Sequence, residues 1–324
     1  MLSPIIVGAL IQMGIIIILC VGFTFTYMVE KFANFAHTAI ATIGTIIAFH
    51  MVTIYGYNVY ATWPVSMLFC GLLGVVLYVL IVRPIKATGA KEITLTFAFF
   101  AMAEVVGSLV SIYSYLLHYQ VGYATNGFTL ASYDFTWGGY PGVFLVTLSV
   151  CAVLVIALAL FLGRVKQGIA LRAVAEDEPL AASVGVNIHN IHLISWFLTG
   201  AFAGLAGAII PLWRYTDLGY SDAFLVIVMS GCVIGGLNSV YGAVIGGFIT
   251  SVAQNALGAL AVALFGIAAS DYDALYPMIF IIVVLMVEPN GIMGFFEKPH
   301  NPRETLHTTA FRIRGFIARL KHGV

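Results

Sequence analysis

The chain has 324 residues, 61% of them hydrophobic and only 9% charged, with 14 Lys and Arg matched by 14 Asp and Glu. Soluble domains are about 45–50% apolar and about 25% charged, so this composition excludes a soluble globular protein and describes one that crosses a membrane many times. A formal net charge of zero argues against a nucleic-acid partner.

A helix needs about 20 apolar residues to cross a bilayer. Such runs occupy residues 5–29, 33–55, 62–82, 92–117, 140–162, 191–212, 240–267 and 275–296, with a shorter ninth at 223–236. The expected fold is therefore all-α, a polytopic helical membrane protein with eight or nine membrane segments. The first run lacks a basic leader and a small-residue cleavage site, and reads as a retained helix. With nine alternating spans, Lys31, Arg83, Lys86, Lys91, Arg164, Lys166, Arg172 and the tail after Lys298 fall on one side, and Arg214 on the other. Positive short loops stay cytoplasmic, which places the N-terminus outside, the C-terminus in the cytoplasm, and the loop 118–139, free of Lys and Arg, on the outer face.

Polar residues inside the spans are few. Asn34, His37 and Thr38 open the second span at spacings of three and four, on one helix face. They are candidates for a translocation pathway or for hydrogen bonds that hold helices together. Glu104 sits about 12 residues into its span, hence roughly 18 Å deep at about 1.5 Å per residue. A carboxylate at that depth faces a bundle interior or a water-filled cavity.

Residues 164–187 form a polar island holding Arg164, Lys166, Arg172, Glu176, Asp177 and Glu178. A loop this charged between two apolar spans is placed to touch a soluble partner. Residues 169–175 suit a short helix, and Asp177-Glu178-Pro179 reads as the start of a second, with acidic groups at its positive end and Pro in its first turn. Gly185 supplies its C-terminal stop. Two short helices turning at an acidic corner make a rigid knob.

Glycine is densest from Gly200 to Gly247, where Gly200 and Gly204, Gly231 and Gly235, and Gly242 and Gly246 each make a GxxxG pair. That spacing bares one helix face for close backbone approach. Gly235-Gly236, followed by Asn238 and Ser239, marks a helix break. The division expected is a membrane domain over 1–297 and a basic tail over 298–324. On a helix, Leu306, Ala310, Ile313, Ile317 and Leu320 of that tail form one apolar stripe beside Arg312, Arg314, Arg319 and Lys321, the pattern of a helix lying on an anionic leaflet. Cys20, Cys70, Cys151 and Cys232 lie in or beside apolar runs without a CxxC pair, which implies neither metal nor disulfide. No GxxxxGK[ST], HExxH or GxSxG is present, so ATP binding by a phosphate loop and enzyme chemistry have no support.

Five blocks in order carry a resemblance: NFAHTAIATIGTIIAF, RAVAEDEPLAASVGVN, ISWFLTGAFAGLAGAII, VIGGLNSVYGAVIGGFI and MVEPNGIMG. Together they resemble the permease subunits of ABC importers for branched-chain amino acids. The resemblance implies a type II-like permease without cofactor, paired with a second paralogous permease, two cytosolic ATPases and an external substrate-binding protein. It places Arg172, Ala175, Glu176, Asp177, Ala181 and Gly185 in the loop that docks on the ATPase. It puts Gly235, Gly236, Gly242, Gly246 and Gly247 in a glycine-rich turn between late helices, and Asn34, Ala36 and His37 in an early motif. Thr38 stands where that family commonly has Gly, and Glu104 where it often has Gln. A permease for urea or short amides, and an ion-coupled secondary transporter, are the rival readings.

Overall fold

The computed structural model describes residues 2–122, 127–217, 220–266, 275–287 and 291. Helices account for nearly all of them. They run α1 (Pro4–Glu30), α2 (His37–Thr53), α3 (Thr62–Leu77), α4 (Arg83–Ala87), α5 (Glu92–Val121), α6 (Gly142–Arg164), α7 (Lys166–Glu176), α8 (Glu178–Ser183), α9 (Ile188–Trp213), α10 (Tyr220–Gly235), α11 (Val240–Phe265) and α12 (Leu275–Val287). A π-helical turn, Tyr78–Val82, joins α3 to α4, so 59–87 forms one continuous span. Among the described residues, six helices are long and apolar enough to cross a membrane, while α2 and α10 are shorter. The described part of every apolar run is largely helical, though α5 ends four residues later than expected and α2 begins at His37, four residues later than expected, which leaves Asn34 in the turn before it rather than on one helix face with His37 and Thr38.

Local signals set the ends. The Ser3 hydroxyl accepts from the Ile6 amide ahead of Pro4, and Lys31 closes α1 in the left-handed conformation. Asn187 and Ser239 cap α9 and α11 with their side chains. The loop before α6 is ordered as a single 3₁₀ turn and a hairpin, β1 (Thr136–Trp137) with β2 (Tyr140–Pro141).

Long-range contacts fix the direction of each helix. The Leu2 amide donates to the Tyr140 hydroxyl at 2.7 Å, which puts the start of α1 at the hairpin end. The Lys31 ammonium donates to Asn238 at 3.0 Å, which brings the α10–α11 turn to the opposite end, beside α7 and α8. Partial burial lowers the Lys31 pKa against the raising pull of Glu92. Tyr220 reaches Thr45, in the middle of α2, so α10 starts at mid-depth and still exits at the α7–α8 end. Gly291, packed near Val233 and Gly236, lies at that same end. The start of α1 and the residue after α12 therefore lie on opposite faces. The segments 267–274, 288–290 and 292–297, and the tail 298–324 with its expected amphipathic stripe, lie outside the described residues.

The core is built around α9, whose residues from Thr199 to Leu212 are all buried. A Cβ on Gly200 would land on the Cys70 carbonyl, one on Gly204 on the Ser66 carbonyl, and one on Gly207 on the Ala41 carbonyl. Backbone thus meets backbone between α9, α3 and α2, the contact that small residues allow where no hydrophobic effect drives helices together. Pro211 has no amide to offer the Gly207 carbonyl. The Thr45 hydroxyl donates to that carbonyl instead, at 2.6 Å.

Gly207→Ala is expected to lower stability by about 1–3 kcal/mol through overpacking. Gly163→Ala, on an open face of α6, is expected to leave stability unchanged or slightly higher. Melting temperatures of the two purified variants check the contrast.

Candidate coupling and translocation site

The polar island folds into a knob of two helices. Val165 turns the chain out of α6, and α7 starts at Lys166, three residues ahead of the expected start. Asp177 forms the corner, its Oδ1 accepting from the Leu180 amide at 2.9 Å. Gly185, at φ +88°, then reverses the chain, a conformation that a side chain would strain. Of the six residues assigned to ATPase docking, Arg172, Glu176, Asp177 and Gly185 are exposed, while Ala175 and Ala181 are buried within the knob and brace it. The outward face instead presents Leu180 and Val184, 61% and 74% exposed and one turn apart. They are exposed aliphatic side chains beside the exposed charges of Arg172, Glu176 and Asp177. Their spacing was visible in the sequence, hidden among conspicuous charges.

Below the knob lies a charge cluster that no local pattern announces. Glu30, at the end of α1, is 2% exposed. Its Oε1 accepts from His192 Nδ1 at 2.7 Å and from the Trp196 indole at 2.9 Å. Its Oε2 lies 2.5 Å from the Lys86 ammonium. Trp196 and His192 come from α9 and Lys86 from α4, so one carboxylate ties three helices together. A buried charge survives only when paired and hydrogen-bonded.

The expected pathway residues separate into two groups. Asn34, His37 and Thr38 are buried inside the subunit. His37 Nε2 bonds the Leu19 carbonyl at 3.0 Å, and Asn34 accepts from the Ala36 amide, so this motif seats the start of α2 against α1. Glu104 does not face the interior of its own bundle. It lies on the exposed side of α5, with no side-chain partner among the described residues. Steps of four, three and four residues align it with Ser108, Ser111 and Tyr115, all exposed. The inner side of α5 carries Leu95, Phe99, Val106 and Val110, which pack against the bundle. The helix is thus apolar inward, and outward it carries a narrow polar row among exposed apolar side chains such as Phe97, Phe100, Val105, Leu109 and Ile112. The groove between α2, α3 and α5, about 530 Å³, is lined by Ile43, Ile46, Leu73, Met102, Val106 and Val110 among others, and offers polar groups only at His50 and Tyr113.

The late glycines close a second backbone contact. A Cβ on Gly235 would strike the Gly242 carbonyl, and one on Gly246 the Gly231 carbonyl. Gly236, at φ +104°, makes the turn between α10 and α11.

A family model described as the permease component of the branched-chain amino acid transport system matches residues 5–287. The chain belongs to this family. It is 30% identical over 287 residues to the probable branched-chain amino acid transport permease protein LivH of Methanocaldococcus jannaschii, covering 89% of this chain and 91% of that protein. With the high-affinity branched-chain amino acid transport system permease protein BraD of Pseudomonas aeruginosa it shares 24% identity, over 86% and 91% of the two chains. The solved structure of PsaBC from Streptococcus pneumoniae in complex with Fab has the same fold at TM-score 0.50 and 16% identity, over 89% of this chain and 93% of that one. This permease is a multi-pass membrane transport subunit, not an enzyme, of the ABC importer class, which works with ATPase and binding-protein partners.

Glu30→Gln leaves Lys86 and His192 without their counter-charge. With Lys86 one-third exposed, the expected loss is about 2–4 kcal/mol. Glu30→Gln combined with Lys86→Met recovers part of it, as thermal melting of the two variants in detergent checks.

Proposed function

We propose that this permease moves branched-chain or similarly apolar amino acids along a path shared with a second, paralogous permease. The observation that carries the reading is the polar stripe of Glu104, Ser108, Ser111 and Tyr115 on the uncovered face of α5. Ionisable groups within a span are costly against lipid and belong beside water or a partner chain. The stripe offers hydroxyls and one carboxylate but no cluster of fixed charge, which suits a zwitterion with an apolar side chain better than a strongly ionic solute. Asn34, His37 and Thr38 hold the wall behind this path rather than line it.

One of the two ATPases docks on this knob, with Leu180 and Val184 at the centre of the contact and Arg172, Glu176 and Asp177 at its rim. Ala175, Ala181 and Gly185 keep the knob rigid, so movement of the ATPases passes into α6 and α9. Gly200 and Gly204, with Gly231, Gly235, Gly236, Gly242 and Gly246, form the close-packed body that turns as a unit. The knob end is cytoplasmic. Lys31, Arg83, Lys86, Lys91, Arg164, Lys166 and Arg172 lie there, and Arg214 lies at the hairpin end. An external binding protein delivers substrate at the hairpin end.

Reconstituted with its ATPases and binding protein, the permease is expected to accumulate labelled leucine in an ATP-dependent way, with competition by isoleucine and valine. Urea uptake that leucine does not compete with contradicts the assignment. Burying a leucine-sized side chain contributes about 1.5–3 kcal/mol. Leu180→Asp with Val184→Asp is therefore expected to weaken ATPase association at least roughly tenfold, measured by co-purification, with membrane insertion unchanged.

A further inference from the structure

His192 stands between two carboxylates. Its Nδ1 is 2.7 Å from Glu30 Oε1 and its Nε2 is 3.6 Å from Glu178 Oε1. Glu178 is the first residue of α8, so this imidazole joins the docking knob to the place where α1, α4 and α9 meet. The other groups around the ring are accounted for. Tyr78, from the π-helical turn, stacks on it at 5.4 Å and 7°. The Tyr78 hydroxyl lies 3.5 Å from His189 Nδ1, Trp196 donates to the same Glu30 oxygen, and Lys86 occupies the other one.

Hydrogen bonding fixes the imidazole's options. An ionised carboxylate only accepts, so Nδ1 must carry the proton given to Glu30. In neutral imidazole Nε2 is then an acceptor and faces the Glu178 carboxylate lone pair to lone pair. In imidazolium Nε2 also carries a proton and attracts it. The Glu30 contact is a buried hydrogen bond, whereas the Glu178 contact is at ion-pair rather than hydrogen-bond distance, with Glu178 44% exposed and His192 4% exposed. Imidazole is the side chain that ordinarily gains and loses its proton between about pH 5 and 8.

We infer that His192 is a positioning residue whose protonation latches α8, through Glu178, to the Glu30–Lys86 cluster, so that knob movement is transmitted to α1, α4 and α9 while the latch is closed and slips when it opens. The inference rests on the knob being the ATPase docking element.

The test uses the assembled importer in nanodiscs. Hydrogen exchange of the 178–186 amides is measured at about pH 6 and about pH 8 and corrected for base catalysis, alongside ATP hydrolysed per labelled leucine moved. In the wild type, corrected exchange rises about threefold to fivefold at the higher pH, the scale of a half-exposed ion pair. Glu178→Gln, and His192→Asn, whose amide still donates to Glu30, show the high-pH exchange at both values and consume more ATP per leucine. Identical exchange in wild type and Glu178→Gln at both pH values overturns the latch. If instead the Leu180→Asp and Val184→Asp variant assembles and pumps as the wild type does, the docking reading itself fails and the latch fails with it. Loss of docking in that variant, together with unaltered exchange in Glu178→Gln, defeats the latch alone.

Discussion

The fold depends on backbone-to-backbone contact along α9. Between helices in a bilayer the lipid tails are as apolar as any leucine, so association rests on how closely two backbones can approach. Gly200, Gly204 and Gly207 put the α9 backbone directly on the carbonyls of Cys70, Ser66 and Ala41. Opposite them, Gly44 and Gly74 return the favour from α2 and α3, where a Cβ would strike Gly204 and Trp196. Pro211 breaks the α9 ladder at one point, and Thr45 restores the orphaned carbonyl while bonding Tyr220, which draws the start of α10 into the same contact.

This post carries different chemistry at its two ends. Towards the hairpin, Pro211 accepts from the Leu130 amide and Thr216 pairs with Phe128, which ties the loop before α6 to the end of α9. Towards the knob, His192 and Trp196 grip Glu30, and Glu30 grips Lys86. On the proposed docking of an ATPase at the knob, this rigid helix with its charge cluster beneath α8 is the element that would pass a push on α8 to the helices behind it. Helix α5 stands apart from the post, anchored by Phe99 against Trp196 and Phe32 and by Tyr113 to His50, with its polar stripe turned away.

Much of this was legible in the sequence, because span length, caps and turns are local. The apolar runs gave the long helices and α10, Asp177 and Pro179 gave the start of α8, and Gly236 gave the α10–α11 turn, while α4 had no signal of its own. The unread features are long-range or directional. Glu30, Lys86 and His192 are far apart in the chain and meet only through the packing of α1, α4 and α9. Depth alone placed Glu104 inside a bundle; its direction depends on which side of α5 meets α2, and the inner Val106 and Val110 turn it outward. Leu180 and Val184 were passed over because aliphatic residues are ordinary in this chain, and only their exposure distinguishes them.

The account stands most directly on the α5 stripe being wet and shared. The native cysteines Cys20, Cys70, Cys151 and Cys232 are buried, so single cysteines introduced at 104, 108 and 111 can be read with a membrane-impermeant thiol reagent in the assembled importer. Labelling at these three positions that changes with nucleotide, beside protected cysteines at the inward positions 106 and 110, is the result expected. Equal labelling at all five positions, indifferent to nucleotide, contradicts a path along this face.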